Sequence, residues 1–217
     1  MSLNDSRINM IKQQLRTSNI YQDKVIALFE QLPREQFVPS TSKAFAYADT
    51  HIPLAHEQVM LTPLEEAKII QSAKLASHHT VLEIGSGTGF MSALLSQVCA
   101  QVFAIDYHLD FVTQTSTHLA TFNINNVHVA QGDAMNLPIP SQQVDAIICS
   151  SAIESIPETW ITYLKPQGKI FAPIGLDNLQ HAQWVFFDHG KVQGHAFVFS
   201  SHLPAIIDNT RREHFKF

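Results

Sequence analysis

Apolar positions along this chain follow two periods. From Thr80 to Ile174 short unbroken apolar runs alternate with stretches in which apolar residues recur every third or fourth position. The first pattern predicts strands buried on both faces and the second amphipathic helices. In order they are strand 80–85, helix 88–98, strand 101–106, helix 109–122, strand 127–131, strand 144–150, helix 157–164 and strand 169–174. Such an alternation predicts a doubly wound, mostly parallel α/β sheet. The pattern then changes, because Ala182-Gln-Trp-Val-Phe-Phe187 and Gln193-Gly-His-Ala-Phe-Val-Phe199 flank the turn Asp188-His-Gly190. That reads as a terminal antiparallel hairpin, bringing the sheet to seven strands.

Upstream of the sheet, Ile8, Ile11 and Leu15 share one face of a helix over 5–16, and Val25, Leu28, Phe29 and Leu32 one face of a second over 23–32. Pro33, Pro39 and Pro53 then punctuate an irregular stretch. In Thr62-Pro-Leu-Glu65 a cap residue, a proline in the first turn and a glutamate able to reach back predict a helix start, with the helix running to about Ala76. The expectation is one domain over 1–217, in which a helical and irregular cap over 1–60 covers the site and 61–217 forms a Rossmann-like α/β core.

The chemistry begins at Val81-Leu-Glu-Ile-Gly-Ser-Gly-Thr-Gly-Phe90, where an apolar strand turns into a glycine loop and then a helix. Glycines at 85, 87 and 89 reach positive φ without strain and let a ligand come close to the backbone. The next strand ends at Asp106, where an acid accepts hydrogen bonds from the hydroxyls of an adenosine ribose, with Tyr107 following it. A dinucleotide loop would need glycine or alanine at position 90, and Phe90 stands there. A ligand without a pyrophosphate fits better, and S-adenosylmethionine is such a ligand, leaving S-adenosylhomocysteine as product. Glu83 and the loop residues Gly85, Ser86, Gly87, Thr88 and Gly89 are expected near its amino acid end. Gly132, Asp133 and Ala134 are expected at the adenine edge, and Ser150 nearer the methionine end.

Composition narrows the partners. With 14 basic and 19 acidic residues the net charge is -5, and no basic cluster interrupts that background, so nucleic acid is not an expected partner. No apolar run is long enough to span a bilayer, and a polar N-terminus points to the cytoplasm. Cys99 and Cys149 lie outside any C-x-x-C pair and read as buried, reduced thiols. The twelve histidines are scattered, and no metal site is expected from their spacing.

Met10-Ile-Lys-Gln-Gln-Leu-Arg16, Pro33-Arg-Glu-Gln-Phe-Val-Pro39, Ala46-Tyr-Ala-Asp49, the glycine loop and Leu164-Lys-Pro-Gln-Gly168 together resemble the protein-L-isoaspartate O-methyltransferases. The resemblance implies a monomeric cytosolic repair enzyme that methylates the α-carboxylate of isoaspartyl residues in damaged proteins or peptides. One motif departs from the family. Where the family reads close to G-Q-T-I-S-Q-P, this chain has Glu57-Gln-Val-Met-Leu-Thr-Pro63, so Leu61 takes the place of the serine set at the reacting carboxylate, while Gln58 is kept and Thr62 offers a neighbouring hydroxyl. Three functions stay open on the sequence: isoaspartyl methyl transfer, methyl transfer to another protein or small-molecule acceptor, and a catalytically silent S-adenosylmethionine-binding protein.

Overall fold

A computed structural model describes residues 2–137, 143–175 and 179–207. Helices α1 (Leu3–Met10) and α2 (Asp23–Gln31) come first, then a hairpin of β1 (Ile52–Pro53) and β2 (Val59–Met60), then α3 (Pro63–Ala73). The core follows as β3 (Thr80–Ile84), α4 (Phe90–Ser96), β4 (Gln101–Asp106), α5 (Leu109–Thr121), β5 (Val127–Gln131), β6 (Val144–Cys149), α6 (Glu158–Thr162), β7 (Leu164–Ile174), β8 (Gln180–Asp188) and β9 (Lys191–Ser201). The seven-stranded sheet has the order β5-β4-β3-β6-β7-β8-β9. The pairings from β5 to β7 are parallel, and those of β8 with β7 and β9 antiparallel.

The doubly wound sheet and its terminal hairpin match the sequence reading. Four local differences have identifiable causes. β7 begins at Leu164 rather than 169, because Leu164 already pairs with Val144 across an irregularity in register. The first helix continues past Met10 as a π turn over Ile11–Leu15 and a 3-10 turn over Arg16–Ser18. It stops where Asn19 turns left-handed (φ 68°) and the Ile20 N–H reaches back to the Leu15 carbonyl, a Schellman-type closure. α3 ends early, at a left-handed Lys74. The β1–β2 hairpin lies within the stretch that the prolines mark as irregular, since two-residue strands carry no alternation to see.

The predicted start of α3 is present in full: Thr62 Oγ1 accepts from the Glu65 N–H and the Glu65 carboxylate accepts from the Thr62 N–H. The N-terminal segment is not a loose appendage. Met10, Leu15, Val25, Phe29 and Phe37 are buried in the same apolar cluster as Phe90 and Leu94 of α4 and Val102 of β4. Phe37 packs edge-on to Phe90 and stacks on Phe122. No helix among the described residues is long and apolar enough to cross a membrane. Cys99 and Cys149 are free and buried, and burial pushes both thiols up to about 12.

Candidate active site

The winding of the sheet reverses between β3 and β6, and a cleft opens there beyond the carboxyl ends of the parallel strands, where ligands bind in open α/β sheets. Its floor is built from the ends of the strands: Ile84 and Gly85 after β3, Ile105 and Asp106 from β4, Gly132 and Ala134 after β5, and Ser150 and Ser151 after β6. Leu54, Gln58 and Val59 of the β1–β2 hairpin complete this part of the lining. The space between these residues, part of it open to solvent, is about 620 Å³.

Gly85, Gly87 and Gly89 all have positive φ, as the loop reading requires. Their tasks differ. Gly87 lines the cleft, and its N–H donates to Asp106 Oδ2 at 2.9 Å. Gly89 does not line it; a Cβ there would lie 3.0 to 3.2 Å from Thr115 of α5, so this glycine serves helix packing and not ligand approach. α5 also supports the loop from behind, since Thr115 Oγ1 donates to the Gly87 carbonyl and a His118 ring nitrogen lies 2.8 Å from the Thr88 carbonyl.

Asp106 is held in place by the two backbone N–H groups of Gly87 and His108, the latter on Oδ1 at 3.0 Å. Burial raises its carboxyl above the usual carboxylate range, and those two donors work against the rise. A nearly buried carboxylate on a cleft wall, with lone pairs left on each oxygen, suits a pair of ribose hydroxyls. Tyr107 is partly exposed beside it on the same wall.

A second recess of about 320 Å³ shares Leu54, Val59, Gly85, Gly87 and Ser150 with the cleft and continues past Ser86, Thr88 and Phe90 to Met60, Leu61 and Glu66. Leu61 is buried on its wall, and its carbonyl is fixed by the Arg34 guanidinium. Arg34 also donates to the Ala46 carbonyl and forms a buried ion pair with Glu66, which makes this side rigid. Ser150 stands where the two spaces meet, and its buried Oγ has no hydrogen-bond partner among the described residues.

Not every sequence-predicted residue reaches the ligand space. Gln58 lies on the cleft wall. Thr62 does not; its hydroxyl is committed to capping α3. Asp133 turns back to accept from the Met135 N–H at 2.8 Å, leaving Ala134 to face the cleft. Glu83 is completely buried under the loop, where it accepts from Ser92 Oγ while Oε1 has no partner among the described residues. Burial pushes its carboxyl up to about 8. Ser151 lines the cleft beside Ser150, and Phe111, Ile206 and Ile207, which no motif marked in the sequence, complete the wall. Nor did spacing reveal that His56, His108 and Asp110 come together at the cleft mouth, against the view of the histidines as merely scattered.

The family model for Protein-L-isoaspartate(D-aspartate) O-methyltransferase matches residues 5–206. This chain belongs to that family. A protein-L-isoaspartate O-methyltransferase of a Bradyrhizobium species is 34% identical over 166 residues, covering 76% of this chain and 77% of the relative. One of Koribacter versatilis is 31% identical over 187 residues, covering 86% and 84%. Among solved structures, a protein-L-isoaspartate O-methyltransferase superposes with a TM-score of 0.81 at 23% identity, covering 94% of this chain and 66% of that one. A putative family member of Plasmodium falciparum, solved with S-adenosyl-L-homocysteine, gives 0.77 at 17% identity, covering 93% and 98%. The chain is thus a methyltransferase of the S-adenosylmethionine-dependent kind. The cleft suits that cofactor: a glycine loop at positive φ, a ribose-ready carboxylate and a largely apolar groove adjoin one another.

Proposed function

We propose that this protein methylates the α-carboxylate of isoaspartyl residues in damaged proteins or peptides, as a cytoplasmic monomer, and that Ser150 supplies the acceptor-orienting hydroxyl that position 61 no longer provides. The observation that carries the reading is the buried, unpartnered Ser150 Oγ at the junction of the cofactor cleft and the Leu61 recess. A buried hydroxyl without a partner costs about 1–3 kcal/mol, which a bound carboxylate oxygen would recover by accepting from it.

S-adenosylmethionine bound in the cleft supplies an electrophilic sulfonium methyl group. An isoaspartyl carboxylate is ionised at neutral pH and needs no general base, so the residues of this chain have to position it and keep water away. Asp106 and the Gly85–Gly87 backbone hold the cofactor, Leu61, Met60 and Val59 give the recess a dry wall, and Ser150 orients the acceptor. Names of relatives across the chain favour a damaged-protein acceptor over a small molecule or a silent domain. Glu57 does not line the cleft or the recess; it lies at the outer mouth, so its charge does not stand against the carboxylate inside.

The test is Ser150→Ala assayed on an isoaspartyl peptide, with S-adenosylhomocysteine affinity measured on the same sample. The expected result is a fall in kcat/KM of about tenfold, the value of roughly one hydrogen bond, with cofactor affinity unchanged. Unchanged kinetics would remove Ser150 from the acceptor site, and a matching fall in affinity would place it on the cofactor instead.

A further inference from the structure

The tip of the β1–β2 hairpin is a tight turn in which the Gln58 N–H bonds to the Ala55 carbonyl, and its two central residues, His56 (φ 56°) and Glu57 (φ 58°), are both left-handed. This is the type I′ geometry that usually calls for asparagine and glycine. Two larger residues in that conformation cost on the order of 1–2 kcal/mol each, so contacts elsewhere must hold the turn. Those contacts are at the start of α5. The His56 ring lies parallel to that of His108, with centroids 3.7 Å apart and 3° between planes, and both meet Phe111 edge-on. His56 Nε2 is 2.9 Å from Asp110 Oδ2. His108 Nε2 is buried with no hydrogen-bond partner among the described residues. Metal-ligating atoms of the three residues all lie within 4.8 Å of one another.

We propose that His56, His108 and Asp110 bind a divalent transition-metal ion of the zinc class, and that the bound ion pins the hairpin tip across the mouth of the cofactor cleft. Two imidazoles and one carboxylate form a donor set that suits zinc, cobalt or nickel and is poor for magnesium or calcium, which prefer oxygen ligands. Zinc–ligand bonds of about 2.1 Å in tetrahedral array put donors roughly 3.4 Å apart, so from separations of up to 4.8 Å binding requires a contraction of up to about 1.4 Å and a swing of one ring out of the stack. The exposed His56 and Asp110 side chains leave both room for that adjustment and a path for the ion, while Phe111 forms an apolar floor. Water would complete the coordination.

The consequence follows from what the ligands are attached to. His108 gives its backbone N–H to Asp106 and lines the cleft, and Leu54, Gln58 and Val59 of the hairpin line it too. An ion joining His56 to His108 and Asp110 therefore crosslinks two parts of the cleft lining, the hairpin and the start of α5. Cofactor exchange slows as a result. The metal-binding half is independent of the methyl acceptor.

The test titrates Zn²⁺ into the full chain by calorimetry and follows Co²⁺ by its visible absorption bands. The same is done with His56→Ala and Asp110→Asn, and with His195→Ala as a histidine control outside the cluster. The expected result is one site that either cluster variant weakens by at least about tenfold and the control leaves unchanged. Equal binding in wild type and His56→Ala, or loss in the control, would overturn the site. S-adenosylhomocysteine dissociation, measured by stopped flow, should slow with Zn²⁺ in wild type and not in His56→Ala. An unchanged rate in wild type with the metal bound would overturn the pinning.

Discussion

Replacing Gly89 and Gly87 separately by alanine should split stability from binding, although both glycines belong to one loop and both have positive φ. Left-handed strain alone costs a non-glycine residue about 1–2 kcal/mol, and both variants bear it. At 87 the added Cβ meets only Leu54 Cδ1, at 3.6 Å, an ordinary contact. At 89 it meets the backbone Cα of the fully buried Thr115 at 3.1 Å and its Cγ2 at 3.0 Å. α5 must then back away from the loop, and overpacking of this kind adds about 1–3 kcal/mol. Gly89→Ala is therefore expected to lose roughly 2–5 kcal/mol in urea denaturation against about 1–2 for Gly87→Ala. Calorimetry with S-adenosylhomocysteine should rank them the other way. Gly87 faces the cleft and bonds Asp106, so its variant should bind at least about tenfold more weakly, while folded Gly89→Ala binds nearly as wild type. Equal destabilisation by the two substitutions would refute the assignment of Gly89 to helix packing.

Asp106→Asn puts an amide nitrogen against either the Gly87 or the His108 N–H, and S-adenosylhomocysteine affinity measured by calorimetry should fall about 30-fold or more, the equivalent of roughly 2 kcal/mol. Leu61→Ser should raise turnover on an isoaspartyl peptide about fivefold by restoring a hydroxyl, while lowering the urea midpoint because Leu61 is buried. Glu83 gives a pH dependence. Its folded value of about 8 lies above the ordinary 4.5, so the folded state keeps a proton that the unfolded state releases, and stability declines as pH rises from about 4.5 to 8. Glu83→Gln should flatten that decline, by at most about 5 kcal/mol, when unfolding is followed at several pH values; an unchanged slope would show that Glu83 ionises freely in the fold.

What the sequence carried well was whatever depends on neighbours in the chain. β4 and β5 fall on the expected residues, and the capping box of α3 is present down to its two hydrogen bonds, because apolar runs and cap residues act locally. Asp106 reached the cleft because a strand end fixes the direction of the residue that follows it. The misplacements share another origin. Glu83 was read from its place beside the loop, yet strand alternation turns it under the sheet and toward Ser92. Asp133 found a local N–H to accept, and Gly89 answers to Thr115, 26 positions on, which no local pattern encodes. The His56–His108–Asp110 cluster joins a hairpin tip to a helix start more than fifty positions away, so ligand spacing could not show it. One departure became intelligible only with the fold: Glu57 stands where the resemblance expects glycine, at a φ of 58° that explains why glycine suits that position.

The central claim, that the cleft delivers a methyl group from S-adenosylmethionine to an isoaspartyl carboxylate, is tested most directly by incubating the protein with methyl-labelled cofactor and paired peptides that differ only in isoaspartyl or aspartyl linkage. The account predicts base-labile label on the isoaspartyl peptide alone, with one S-adenosylhomocysteine formed per ester. Tight cofactor binding with no label on that peptide, or equal label on both, would contradict it.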